Sequence, residues 1–324
     1  MNQPLVSIIV PAYNSSQTIA PCLEAIIRQS YPCFEIIVVD DGSTDQTAEI
    51  IRTFPNVHYA RQENAGPASA RNHGARIARG EFFIFTDSDC VPQDHWVELL
   101  MKNFLASDIG VVAGSYGIAN PESRLARCVW KEILFRHQHL MPDYPRAFGS
   151  YNFAIRRKTF EDAGGFDESY RRASGEDNDL SYKVSKAGYK IYFSREALVD
   201  HYHPTKFFKY LNEQYRHGFW RAKLYGRHIH MARGDDYTFL KDIAEIFVCG
   251  MLVLCLPFVL LAWGIFIVEL LCLVSLLIME AYYSFKFNGF NADGISYIGV
   301  MGVRTFYRFF GLASGIFNFF IKKN

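Results

Sequence analysis

Between Asp242 and Phe285 the chain has no Lys or Arg, and the only acids there are Asp242, Glu245, Glu269 and Glu280. A stretch so long and so poor in charge cannot supply the polar faces that helices of a soluble domain need. The chain must therefore divide into a mixed region of about 240 residues, enough for a sizeable core, and an apolar block suited to lipid. Ile246–Val268 is 23 residues without a charge, long enough to cross a hydrocarbon core of roughly 30 Å. Leu270–Phe285 continues it. A single helix of forty residues would reach roughly 60 Å, so two spans meeting near Trp263-Gly264 are expected.

Both flanks of this block are basic. Eight Lys/Arg lie between Lys206 and Lys241, and Lys286, Arg304, Arg308, Lys322 and Lys323 follow. The positive-inside rule then places both ends in the cytoplasm, which requires an even number of crossings. Upstream, Phe207, Phe208, Leu211, Tyr215, Phe219 and Ala222 recur at helical spacing beside Lys209, Arg216, Lys223 and Arg227. This pattern fits a basic helix lying along a membrane surface, and equally a surface helix packed on the domain. Gly315–Ile321 is apolar too, but only thirteen residues separate Arg308 from Lys322, so the tail is expected in the interface. The expected divisions are 1–204 for the α/β domain, 205–241 for the interfacial helix, 242–285 for the hairpin and 286–324 for the tail.

The amino-terminal half alternates. Leu5–Val10, Phe34–Val39 and Phe82–Thr86 are apolar runs of buried strands, and Val57–Ala60 a shorter one. Helical spacing occupies Ile19–Gln29, Thr47–Thr53 and the segment bracketed by Pro67 and Gly80. That order predicts a parallel sheet covered by helices. Beyond it, Ile109–Tyr116, Phe148–Ile155 and Lys190–Phe193 read as strands, and Ser123–His139 and Asp179–Lys186 as helices. With 34 Lys+Arg against 33 Asp+Glu, no basic excess suggests a nucleic-acid partner. The seven cysteines are scattered without a CxxC pair, which excludes a disulfide framework or zinc knuckle. The start, MNQPLVSIIVPAYN, lacks the basic leader of a secretory signal, so the α/β domain is expected in the cytoplasm.

In open α/β sheets ligands bind beyond the carboxyl ends of the strands. Here those ends read Pro11-Ala12-Tyr13-Asn14, Asp40-Asp41-Gly42-Ser43 and Asp87-Ser88-Asp89, with neither GxGxxG nor GxxxxGK[ST] nearby. Four carboxylates on one rim repel one another unless a cation sits among them, and an oxygen-rich site suits Mg²⁺ or Mn²⁺.

In order along the chain stand Val6-Ser-Ile-Ile-Val-Pro-Ala-Tyr-Asn14, Val39-Asp-Asp-Gly-Ser-Thr-Asp45, Ala70-Arg-Asn-His-Gly74 and Phe85-Thr-Asp-Ser-Asp89. Gly164-Gly-Phe-Asp167 and Gly175-Glu-Asp-Asn-Asp-Leu180 follow. The set resembles the family 2 glycosyltransferases of the GT-A fold over roughly residues 4–205. The resemblance implies an inverting enzyme with a nucleotide-sugar donor. Asp41 would accept a hydrogen bond from the ring N–H of the base, uracil or guanine, between walls made by Pro11 and Tyr13. Arg71 would lie near base and phosphates, and Asp87 against ribose and metal. Asp89 would hold the metal, with His201 or else His203 completing its shell and His201 favoured. Asp177 would be the general base for the acceptor hydroxyl, with Glu176 orienting it. Gln214-Tyr-Arg216 with Trp220 only partly matches the Gln-x-x-Arg-Trp of processive polymerases, so processivity is not expected.

With the apolar block, the resemblance implies a multi-pass enzyme of the cytoplasmic membrane whose acceptor is a lipid-linked or membrane-associated glycan. Two alternatives remain at this stage: transfer to a polyprenyl phosphate, and a non-catalytic membrane scaffold. Intact Glu176 and Asp177 weigh against both, since a phosphate acceptor needs little base catalysis.

Overall fold

The structure is a computed structural model that describes residues 3–172, 175–229, 236, 240–258 and 263–322. The chain forms two compact units, one of Met1–Asn120 with Arg136–Tyr202 and one of Pro121–Phe135 with His203–Asn324. The strands are β1 (Val6–Ala12), β2 (Phe34–Asp40), β3 (Val57–Arg61), β4 (Phe82–Thr86), β5 (Cys90–Pro92), β6 (Ile109–Ile118), β7 (Asn152–Arg156) and β8 (Lys190–His201). The helices of the first unit are α1 (Ile19–Ile27), α2 (Thr47–Arg52), α3 (Pro67–Ile77) and α4 (Trp96–Met101). α5 (Arg124–His139) begins in the second unit and ends in the first, which also holds α6 (Arg157–Asp162) and α7 (Glu176–Lys186).

All eight strands form one sheet in the order β3-β2-β1-β4-β7-β6-β8-β5. β1 to β4 are mutually parallel, β7 runs against β4 and β6, and β5 against β8. The expected parallel sheet is thus confined to its amino-terminal half, and the whole is mixed. The chain winds outward from β1 through β2 to β3, then returns to place β4 on the other side of β1. That reversal is the topological switch point where a ligand crevice opens. Central strands β1 and β4 are buried along their whole length, as their continuous apolar runs require.

Boundaries moved where neighbours decide them. β1 runs on through Pro11 to Ala12, because its pairing with β4 stops at Ile9 and the missing Pro11 N–H costs no ladder bond on that side. β8 extends from the expected Lys190–Phe193 to His201, paired with β6 and β5. β7 starts at Asn152, so Phe148–Tyr151 is loop. β5, α4 and α6 were not anticipated; each is six residues or shorter.

The second unit is helical: α8 (Phe207–Arg227), α9 (Leu240–Cys255), α10 (Trp263–Asn288) and α11 (Ala292–Ile316), with a π-helical turn over Phe317–Ile321. The first of the two expected spans, running from Ile246 toward a turn near Trp263-Gly264, is cut short. Pro257 lacks an N–H and disfavours helix in its predecessor, so α9 stops at Cys255 and passes into a 3₁₀ turn, Leu256–Phe258. Residues 259–262 and 323–324 lie outside the described residues, which removes Lys323 from the comparison. Trp263 opens α10 rather than making the turn. Among the described residues α10 is the one helix long and apolar enough to cross a membrane, and most of it is exposed.

Three of the four acids in the apolar block are paired inside this unit. Arg304 meets Glu132 at 2.7 Å and Glu245 at 3.2 Å. Lys241 pairs with Glu245 and, at 3.2 Å, with Glu280, while Arg308 meets Asp242 at 3.0 Å. Such buried charges are tolerated because each has a partner.

α8 and α11 approach until their backbones touch. Gly218 lies against Arg308 and Leu312, Gly311 against Tyr215 and Phe219, and Gly315 against Phe219 and Ala222, so the two helices run parallel. A Cβ on Gly311 would stand 2.0 Å from the Tyr215 carbonyl oxygen. Gly311→Val is therefore expected to force the helices apart and lower stability by roughly 1–3 kcal/mol or more. Thermal unfolding of the purified protein in detergent checks this; an unchanged midpoint would mean that the close approach is not needed.

Candidate active site

The carboxyl ends of β1, β2 and β4 border a cleft of about 330 Å³. Pro11, near the end of β1, and Tyr13, just past that end, form one wall, with Tyr13 48% exposed. Asp41, just past β2, is buried, and its carboxylate is fully engaged. Oδ1 accepts from Gln62 Nε2 (2.7 Å) and the Ala65 N–H (2.9 Å), and Oδ2 accepts from Asn64 Nδ2 (3.2 Å) and the Gly66 N–H (2.8 Å). Asp41 thus shapes the loop that brings Asn64 and Gly66 to the cleft. Gly66 has φ of +96°, and a Cβ there would lie 2.6 Å from the Arg171 carbonyl oxygen. Only glycine lets that strand of chain close over the cleft.

Arg71, on α3, joins the two halves of the site. It is 3% exposed. Nη2 stands 2.6 Å from Asp87 Oδ1, and Nη1 stands 3.0 Å from Glu176 Oε1. Burial opposes its charge, but the Asp87 and Glu176 carboxylates more than offset this and hold the guanidinium above its usual range. Burial, with the Asp89 charge adding, pushes the Asp87 carboxyl up against the pull of Arg71.

Asp89 and His201 are brought together by the β5–β8 pairing, which sets Cys90 opposite His201. His201 Nε2 lies 3.4 Å from Asp89 Oδ1. Single ligand atoms of Asp89, Cys90 and His201 all fall within 4.8 Å of one another. Burial, then the Asp89 and Asp87 charges, push the Cys90 thiol well up, which makes it the least favourable of the three as a ligand for a hard ion. The remaining donors are one carboxylate and one imidazole, compatible with a hard divalent ion completed by ligand oxygens. Of the other residues expected at the metal, Asp87 is held by Arg71, and His203 is buried and belongs to the second unit.

Glu176 and Asp177 open α7 behind Gly175, whose φ is +144°. Glu176 is buried and also accepts from the Gly175 N–H at 3.1 Å. Asp177 Oδ1 accepts from the Asn178 N–H at 2.8 Å, and its Oδ2 faces Gly149, where a Cβ would come within 3.4 Å. Neither side chain is part of the cleft lining; Arg71 is the link between that lining and α7. Asp179 is turned away to Lys183, 2.8 Å distant. Sequence reasoning missed Ser15, Asn64, Ser88, Arg171 and Arg172, all of which line the cleft. Arg171-Arg172 sits five residues before Asp177 in a polar loop, and only the fold turns it toward β1.

Residues 7–164 match the model of the Glycosyl transferase family 2 domain. Glycosyltransferase AglE of Haloferax volcanii is 29% identical over 223 residues, covering 66% of this chain and 72% of that protein. The uncharacterized glycosyltransferase RP339 of Rickettsia prowazekii is 30% identical over 255 residues, 74% of this chain and 79% of its own. Among solved structures, the mannosyltransferase PcManGT of Pyrobaculum calidifontis, in complex with GDP-Man and Mn²⁺, aligns with a TM-score of 0.62 at 18% identity. That alignment covers 98% of this chain and 88% of the other. A shared GT-A fold, the ordered strand-end carboxylates and these similarities together make the chain a member of glycosyltransferase family 2.

Proposed function

We propose that this glycosyltransferase is a metal-dependent, inverting enzyme anchored in the cytoplasmic membrane, moving a sugar from a nucleoside-diphosphate donor to a hydroxyl of a lipid-linked or membrane-associated glycan. The observation that carries the reading is the Arg71 bridge. One buried guanidinium ties the strand-end carboxylate Asp87 to Glu176, next to the proposed base Asp177.

The base of the donor lies between Pro11 and Tyr13. Its ring N–H reaches Asp41 in exchange for Asn64 Nδ2, the longest of the four bonds to that carboxylate and the one from a side chain in the cleft. Asp89 and His201 hold Mn²⁺ or Mg²⁺, with Asp87 beside the ribose. When bound, the ion supplies countercharge to the departing diphosphate. Arg171 and Arg172 add positive charge at the lip of the cleft. Asp177 takes the proton of the acceptor hydroxyl as its oxygen attacks the anomeric carbon from the face opposite the diphosphate. Glu176, fixed by Arg71 and the Gly175 N–H, orients the start of α7 so that this carboxylate faces the acceptor.

The membrane part of the reading rests on the second unit. Phe247, Leu254, Leu271 and Ile278 are all more than 60% exposed, a surface that water would not tolerate in such density. Lys241 at the start of α9 bonds Glu280 on α10, so the segments between them leave and return at one level, as a hairpin does. From Lys241 to Cys255 is roughly 21 Å of helix and from Trp263 to Glu280 roughly 26 Å.

Release of nucleoside diphosphate from a panel of sugar donors, UDP-sugars first, tests the whole reading with membrane lipid extract as acceptor source. Release is expected only with one donor class, and to rise sharply when extract is added. Release that never depends on extract would refute the lipid-linked acceptor.

A further inference from the structure

Arg124, Arg127 and Lys131 occupy one face of α5 at a spacing of three and four residues, and all three turn toward one carboxylate, Asp293 in the first turn of α11. Arg127 uses its whole guanidinium there. Nε and Nη2 each stand 2.8 Å from an Asp293 oxygen, and Nη1 donates to the carbonyls of Pro121 and Glu122. Arg124 Nε and Lys131 Nζ stop at 3.7 and 3.8 Å, outside hydrogen-bond distance, so their N–H groups remain available to another acceptor. Lys286, near the end of α10, reaches the same helix: its Nζ is 6.0 Å from the ring of Phe135, one turn past Lys131, and 4.8 Å from the Tyr282 ring. Three cations of α5 thus share the single carboxylate of Asp293, and Lys286 adds a fourth cation beside Phe135.

The place of this surplus matters as much as its sign. Lys286 is the first cation after the stretch that begins at Asp242, so it marks where the apolar block meets polar surroundings. Beside it, Phe285, Phe290 and Ile295 point outward, 53%, 94% and 76% exposed, with the two phenylalanine rings 4.6 Å apart. Cations with spare donors next to outward aromatic and aliphatic side chains complement an acidic headgroup above an acyl chain. An acidic soluble partner would match the charge but leave Phe290 and Ile295 in water.

We propose that Arg124, Lys131 and Lys286 form a binding site for the phosphate headgroup of an anionic phospholipid, with Arg127 and Asp293 as the brace that aims it. The inference rests on the bilayer reading above. The lipid would fix the depth and rotation of α11 relative to the start of α5 within this unit.

The test uses the full chain in detergent micelles titrated with phosphatidylglycerol or phosphatidylcholine, bound lipid being counted by native mass spectrometry. The wild-type protein is expected to prefer phosphatidylglycerol. Each cation at headgroup level contributes roughly fivefold, so the combined Arg124→Gln, Lys131→Gln, Lys286→Gln variant should lose about 10²-fold in that preference. Because Arg127 and Asp293 stay paired in it, phosphatidylcholine binding should be unchanged. Phosphatidylcholine bound as well as phosphatidylglycerol by the wild-type chain, or a preference that survives the triple variant, overturns the site while leaving the bilayer reading intact. Absence of binding to either lipid would sink both. Displacement of phosphatidylglycerol by inorganic phosphate would mean a soluble-anion site instead.

Discussion

An Asp177→Asn variant is expected to bind donor normally and to turn it over ~10²–10⁴-fold more slowly, the range associated with loss of a general base. Asparagine keeps the size of the side chain and can still accept from the Asn178 N–H, the 2.8 Å bond that Asp177 Oδ1 now accepts. What it loses is the ability to take a proton. The donor end is untouched, since Asp41 and its four donors lie on a different loop. Steady-state kinetics with the purified protein, alongside calorimetric titration of the donor, separates the two effects. Near-normal turnover would remove Asp177 from the mechanism. A parallel fall in donor affinity would mean instead that α7 had shifted, and Glu176→Gln should then reproduce it through the Arg71 contact.

The strand ends were legible because each is short-range: an apolar run, a turn, and a carboxylate fixed by the last residue of a strand. β4 appears at Phe82–Thr86, as read, with Asp87 directly after it. What was not legible depends on contacts between distant positions. β5 has three residues, and only its pairing with β8 across a gap of more than a hundred positions makes it a strand and brings Asp89 to His201. The hydrogen bonds that hold Asp41 come from residues 62–66, whose approach no local pattern announces. In the apolar block, the pairing of Glu245 and of Glu280 was likewise out of reach. Arg304, which meets Glu245, and Lys241, which meets Glu280, lie at sequence distances from those acids that spacing arguments do not reach. Pro257 was the local signal passed over: it lies within the longest charge-free run and ends the first span at Cys255, well before the expected turn near Trp263-Gly264.

Removing the divalent ion should abolish transfer, and the pattern of variants should identify what held it. A metal near the diphosphate contributes several kcal/mol to the stabilisation of the leaving group, so EDTA is expected to lower turnover by roughly 10³-fold or more, with recovery on adding Mn²⁺ or Mg²⁺. Asp89→Ala should weaken metal-dependent donor binding strongly, because it removes the anionic donor of the pair. His201→Ala removes a neutral donor and should cost less, leaving activity that excess Mn²⁺ partly restores. Cys90 makes the comparison decisive. Its sulfur belongs to the same cluster, and a thiophilic ion such as zinc would draw on it. Burial and the neighbouring carboxylates, which push this thiol up, favour oxygen and imidazole donors for a hard ion. Cys90→Ser should therefore leave the metal dependence where it was, measured as turnover against Mn²⁺ concentration. A large rise in the Mn²⁺ requirement of Cys90→Ser, or an Asp89→Ala variant with unaltered metal-dependent donor affinity, would place the ion elsewhere on the rim of the cleft, with Asp87 released from Arg71 as the next carboxylate to test.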